Sequence, residues 1–230
     1  MAYNSSILLI FKLLILQYLS VLCVSQDNFD FFYFVQQWPG AYCDTKQHRC
    51  CYPKTGKPAA DFGIHGMWPN YNDGSWPSNC DPDSVFSVHE ISDLMGRLQK
   101  EWPSLSCPSS NGNRFWSHEW EKHGTCSEQQ LDQHDYFEAG LKLKEKANLL
   151  NVLRTAGIEP NDNFYSLEKI EDAITEGIGH APGIECNKDS EGNSQLYQVY
   201  LCVDTSGSDF IDCPKLPRGR CATNVQFAKF

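Results

Sequence analysis

The sequence is short of positive charge: 19 lysines and arginines stand against 29 aspartates and glutamates, a formal net charge of −10 over 230 residues. A surface that grips nucleic acid through general phosphate contacts is basic, so this balance argues against tight non-specific binding. A polyanionic substrate would have to meet a local cationic pocket. There is no Cys-x-x-Cys pair, and Cys50 and Cys51 are neighbours that cannot readily hold one ion together, so the cysteines lack metal-ligand spacing. Repeats, low-complexity stretches and interdomain linkers are also missing, which points to a single domain. The Asn-x-Ser/Thr pattern occurs only at Asn4. No N-linked glycan is therefore expected on a chain that has lost its first residues.

Long apolar runs are equally scarce, the one candidate being Ile7 to Val24, interrupted by Lys12, Gln17 and Ser20. As a membrane anchor it is short, contains a lysine and lacks a basic flank. With Cys23 and Ser25 at the minus-three and minus-one positions of a cut, it reads as a secretory signal peptide over residues 1–25. Residues 26–230 would form the mature chain, long enough for one domain with a substantial core. Without Lys12 its net charge is −11.

Cysteine, by contrast, is plentiful. Cys23 leaves with the signal, and the remaining ten are Cys43, Cys50, Cys51, Cys80, Cys107, Cys126, Cys186, Cys202, Cys213 and Cys221. An even number in an exported chain implies five disulfides, whose connectivity spacing alone leaves open.

The aromatic run Phe29 to Trp38 suits a buried strand, Asp61 to Trp68 a strand ending in a turn, and Pro39 to Pro58 a stapled loop region. Gln36 and Gln37 at the end of the first strand read as structural residues. Ser87 to Trp102 reads as a helix with a Ser87/Glu90 capping box and an apolar stripe of Ile91, Leu94, Met95 and Leu98. Asp132 to Ala156 reads as a second helix stopped by Gly157, and Ser166 to about Ile178 as a third. Leu196 to Val203 is a strand, with Asp209 to Cys213 and Thr223 to Phe227 as short partners. The fold class expected is α+β, with an antiparallel sheet flanked by several helices.

The segment Phe115 to Cys126, FWSHEWEKHGTC, stands out. On a helix ending at Gly124, successive residues turn by roughly 100°, which puts His118, Lys122, Glu119 and His123 on one arc while Trp120 and Glu121 point elsewhere. A solvated face would explain that arc blandly. Two imidazoles, a carboxyl and an ammonium at adjacent positions are also what acid-base chemistry requires. His65 lies in FGIHGMWPN, where Gly63 and Gly66 permit close backbone approach. If it faces the arc across a cleft, one imidazole can be neutral while another is charged, giving a bell-shaped pH profile with an acidic to weakly acidic optimum. No activated serine or cysteine accompanies them, so the nucleophile must come from water or substrate. Zinc fits poorly: His118 and His123 are five apart rather than four, and Lys122 between them repels a cation.

FGIHGMWPN (62–70) and FWSHEWEKHGTC (115–126) resemble the two active-site segments of the ribonuclease T2 family. The FYFVQQWPGAYC opening, the cysteine pattern and the SQLYQVYLCVD strand extend the resemblance over the mature chain, and the acidic balance is most like that of the plant S-like members. The resemblance implies His65 and His123 as the catalytic pair, Glu119 beside them, and His118 with Lys122 on the scissile phosphate. It further implies Gln37, Trp68 and Phe115 as substrate-pocket residues, and bridges Cys43–Cys50, Cys51–Cys107, Cys80–Cys126, Cys186–Cys221 and Cys202–Cys213. The implied activity is cleavage of single-stranded RNA through a 2′,3′-cyclic phosphate, without metal or other cofactor, DNA being inert. A monomer outside the cell or in the vacuole is the expected form. A storage or defence protein on this scaffold would have no need of all five ionisable groups, and a self-incompatibility determinant would be the same enzyme in another role.

Overall fold

The structure, a computed structural model, describes residues 29–230. The expected signal peptide at 1–25 lies outside the described residues. At the centre is β1 (Phe31–Gln37), FFYFVQQ, all seven residues buried. It reads as a continuous rather than alternating apolar run because both of its faces are covered. Phe32 and Phe34 join Trp102, Trp116, Trp120, Tyr136 and Phe137 on one side. Phe31, Tyr33 and Val35 meet Cys202, Trp68 and Tyr200 on the other.

The remaining strands are β2 (Gly63–Asn70), β3 (Phe164–Ser166), β4 (Gly183–Lys188), β5 (Ser194–Val203), β6 (Phe210–Ile211) and β7 (Asn224–Gln226). Their order is β2-β1-β5-β7-β3, with β4 and β6 also paired to β5. Every pairing is antiparallel except the Gln195–Gln226 contact of β5 with β7. The helices are α1 (Pro39–Cys43), α2 (Met95–Glu101), α3 (Asn113–Lys122), α4 (Gln133–Lys146), α5 (Leu149–Thr155) and α6 (Leu167–Ile178). The α+β class expected from the sequence is the one found.

Several boundaries differ from expectation for local reasons. Ser87 does not cap a helix, because the Gln133 side chain takes both its N–H and its carbonyl, each at 2.7 Å. The chain makes turns up to Leu94, and only Met95 onward is helical, although Ile91, Leu94 and Leu98 are buried as the stripe requires. The helix expected over 132–156 is two helices. Gln36 Nε2 donates to the Ala147 carbonyl at 3.0 Å, and the Asn148 side chain accepts from the Asn151 N–H at 3.1 Å, so the first helix is closed and the second capped within two residues. Gly157, at φ +70°, ends the pair as expected. Ser166 caps α6. The loop region after Pro39 opens with the short α1, and β3 and β4 had no expected counterpart.

The ten cysteines form Cys43–Cys50, Cys51–Cys107, Cys80–Cys126, Cys186–Cys221 and Cys202–Cys213, the five pairs the resemblance implies. Among the described residues, no helix is long and apolar enough to cross a membrane.

Candidate active site

His65 owes its position to an irregularity in the sheet. Val35 pairs with Gly66 and the next residue, Gln36, with Ile64, so His65 is the extra, unpaired residue of a bulge on β2. Such a bulge re-aims a side chain. The backbone carbonyl of His65 accepts from Trp102 Nε1 at 2.9 Å. Its ring Nδ1 is held by Gln198 Nε2 at 2.7 Å, and the Tyr200 hydroxyl donates to Gln198 Oε1 at 2.9 Å. Gln198 and Tyr200 stand two apart on β5, so strand alternation puts both on the face toward His65.

The partner segment is α3, and its orientation corrects the helical-arc reading. Trp116, Glu119, Trp120 and His123 recur at three- and four-residue spacing and are all buried, so Glu119 and His123 belong to the core-facing stripe rather than to a surface arc. His118 is exposed and Lys122 half-buried. Trp120 does not point away from the site's support. It packs in the core and donates to the Ser84 carbonyl at 3.1 Å. Gly124 is not the left-handed cap expected: it begins a 3₁₀ turn, Gly124–Ser127, and is glycine because any Cβ there would strike the Trp120 ring.

The two segments meet at a cleft of about 380 Å³ lined by Tyr33, His65, Trp68, Asn70, Trp76, His118, Glu119, Lys122, His123 and Tyr200. Trp68 stacks on His123, with ring centres 5.2 Å apart and planes at 29°. Its Nε1 donates to Glu119 Oε2 at 2.8 Å. That contact runs directly over Gly66, where a Cβ would collide with both atoms. Gly66→Ala should therefore separate Trp68 from Glu119 and leave a buried carboxyl without its donor. Urea unfolding should register a loss of about 1–3 kcal/mol, and an unchanged midpoint would show that the close approach is dispensable.

The electrostatics also differ from the simple expectation. Burial, then the charges of His118 and Lys122, lower His65 to about 4. Burial, then Lys122, His118 and His65, lower His123 to about 3, and its Nδ1 is buried with no hydrogen-bond partner. His118 is lowered by burial and Lys122, with Glu121 opposing. Burial raises Glu119 to about 8, against the lowering effects of the Trp68 hydrogen bond and Lys122. Glu119 thus rests as a neutral carboxylic acid near pH 6 and supplies no negative charge to favour a neighbouring imidazolium.

Of the sequence-derived residues, His65, His118, Glu119, Lys122, His123 and Trp68 line this one cleft. Phe115 has its ring 6.0 Å from His65 but lines an adjoining hollow with Ser104, Ser106, Arg114 and His118. Gln37 lines a separate depression with Pro39, Asp61 and Lys100, and reaches the site only as the register partner of Gln198. Tyr33, Asn70, Trp76, Gln198 and Tyr200 were not anticipated as site residues. Trp76, 62% exposed in a polar loop, carried a signal, since a tryptophan left in water needs a reason. The spacing argument against a metal also weakens. His123 leaves the helical path, and single ligand atoms of His118, Glu119 and His123 lie within 4.8 Å of one another, which leaves Lys122 as the charge opposing a cation there.

The sequence profile of the Ribonuclease T2 family matches residues 29–213. Ribonuclease 3 of Arabidopsis thaliana is 67% identical over 218 residues, covering 95% of this chain and 97% of its own. Extracellular ribonuclease LE of Solanum lycopersicum is 59% identical over 232 residues, covering 100% of both chains. The crystal structure of RNase NT in complex with 5′-AMP is 58% identical, covers 89% of this chain and 100% of its own, and superposes with a TM-score of 0.85. With the two histidine segments facing each other across a cleft on a shared fold, and with identity this high along the whole length, the chain belongs to the ribonuclease T2 family, among its plant S-like members.

Proposed function

We propose that this endoribonuclease cleaves single-stranded RNA by metal-free acid-base transesterification, on the strength of two neutral-capable imidazoles and a lysine lining one cleft. RNA supplies the nucleophile. His123 takes the proton of the 2′-hydroxyl, the 2′-oxygen bonds to phosphorus, and the bond to the 5′-oxygen breaks as His65 gives that oxygen a proton. The products are a 2′,3′-cyclic phosphate and a free 5′-hydroxyl. Water then opens the ring with the roles reversed, leaving a 3′-phosphate. Lys122 and His118 face the phosphoryl oxygens, where negative charge builds in the transition state. DNA has no 2′-hydroxyl and is inert.

Gln198 Nε2 donates to Nδ1 of His65, which makes that nitrogen an acceptor and puts the neutral ring's proton on Nε2, the nitrogen left to exchange a proton with substrate. Neutral Glu119, tied to Trp68, holds the wall on which His123 stacks without adding a negative charge beside the phosphate. Trp68 and the exposed Trp76 offer faces on which unpaired bases stack, which favours single strands. Every group invoked comes from one chain, in keeping with a monomer. The apolar N-terminal run and the five disulfides support passage through the secretory pathway to the cell exterior or the vacuole.

Digestion of single-stranded RNA in excess EDTA should proceed at the untreated rate and accumulate 2′,3′-cyclic ends. Loss of activity on chelation, or 5′-phosphate products, would overturn the mechanism.

The pH dependence follows from the two histidines. The acid, His65, must be protonated and the base, His123, neutral, and both are lowered, to about 4 and about 3, in the unliganded site. As pH rises through the His65 value the acid is lost, so kcat/KM, which reports the free enzyme, should decline from about pH 4 upward. A bound phosphate stabilises the imidazolium, which places the corresponding limb of kcat at higher pH. A kcat/KM still climbing above about pH 7 would contradict these assignments, since an unperturbed histidine near 6.5 is already mostly neutral there.

A further inference from the structure

Between Cys213 and Cys221 the chain reads PKLPRGR, three cations and no acid in seven residues of a protein whose net charge is −10. Cys213 is bonded to Cys202 on β5 and Cys221 to Cys186 on β4, so both ends of this basic loop are stapled to adjacent strands. Its middle is fixed as well. Pro217 packs against Gly183, the register partner of Tyr200, so closely that a Cβ on Gly183 would strike its ring. The Tyr33 hydroxyl donates to the Lys215 carbonyl, and the Lys215 ammonium donates to the Asp73 carbonyl. Tyr33 and Tyr200 line the cleft, and Asp73 belongs to the loop that brings Trp76 to its rim. The loop is therefore the outward continuation of the Tyr33–Tyr200–Trp76 wall. Arg218 and Arg220 are exposed on it, and among the described residues neither forms an ion pair.

An RNA strand longer than the cleft has to leave over one of its walls, and most of this protein's surface charge repels it. Two guanidinium groups without carboxylate partners, on a loop already ordered by two disulfides and two prolines, match phosphate geometry without a large ordering cost. We propose that Arg218 and Arg220 form an outlying phosphate site that holds the RNA backbone beyond the scissile bond. The inference rests on the single-stranded RNA reading above.

The test compares a dinucleoside phosphate with a long single-stranded RNA for the Arg218→Ser/Arg220→Ser double variant. On the long RNA at low salt, kcat/KM should fall about tenfold, and the slope of log kcat/KM against log salt should flatten by roughly 1.4, at about 0.7 for each phosphate that the variant no longer neutralises. Cleavage of the dinucleoside phosphate should match the parent. The Arg218→Lys/Arg220→Lys variant, which keeps both charges, should retain the salt slope. An unchanged rate and slope on the long RNA would overturn the site, as would equal losses on both substrates, which would mean that the loop acts on the cleft itself. A parent protein that cleaves neither substrate would sink the functional reading and this inference with it.

Discussion

His123→Ala and His65→Ala should each lower cleavage of ordinary RNA by about 10²- to 10⁴-fold, the contribution of one positioned proton transfer. The two losses separate on a substrate with a much better leaving group at the 5′ position. Such a leaving group hardly needs an acid, whereas its 2′-hydroxyl still needs a base. His65→Ala should recover most of its rate there and His123→Ala should remain impaired by about the full proton-transfer factor. The contrast is usable because the two rings are held by different partners. His65 sits on a bulge and is gripped through Nδ1 by Gln198, while His123 lies beyond the last turn of α3 against Trp68. Rescue of His123→Ala instead would exchange the roles, and equal rescue would mean that neither histidine has a dedicated one.

Trp102→Ala should lower stability by about 3–5 kcal/mol, the range for deleting a large buried aromatic side chain. Trp102 is fully buried, packs edge-on to Phe137 with ring centres 5.2 Å apart, and presses so closely on Gly140 that a Cβ there would meet its ring. It also ties the core to the site, because its Nε1 is the donor to the His65 carbonyl. Trp102→Phe keeps much of the ring but leaves that carbonyl unpaired, and should cost about 1–3 kcal/mol. Urea unfolding of the parent and both variants measures the difference. An alanine variant less than about 1 kcal/mol below the parent would show that the site's support lies elsewhere.

Helix starts are legible in the sequence where one residue's own chemistry decides them, and illegible where a distant side chain does. Asp132 and Ser166 cap helices as expected because each side chain reaches the N–H three residues on. Ser87 has the same local signal, yet Gln133, 46 residues away, claims its backbone. The helix break at Ala147 is likewise made from outside, by Gln36 on β1. No window of sequence contains both partners of either interaction.

The site divides in the same way. The sequence by itself determined the identities: His65, His118, Glu119, Lys122 and His123 are recognisable because few other reasons place those side chains at such spacing, and the even cysteine count required that bridges form in an exported chain. Only the tertiary structure decided what those groups are. Burial between the sheet and α3 lowers two imidazoles, with the neighbouring cations adding to the effect, and raises one carboxyl against the pull of Lys122, because desolvation there outweighs the nearby charge. The bulge that aims His65, the Gln198–Tyr200 pair behind it and the basic loop beside the cleft all depend on strands far apart in the chain being hydrogen-bonded in one register, and register is a property of the folded sheet rather than of any segment within it.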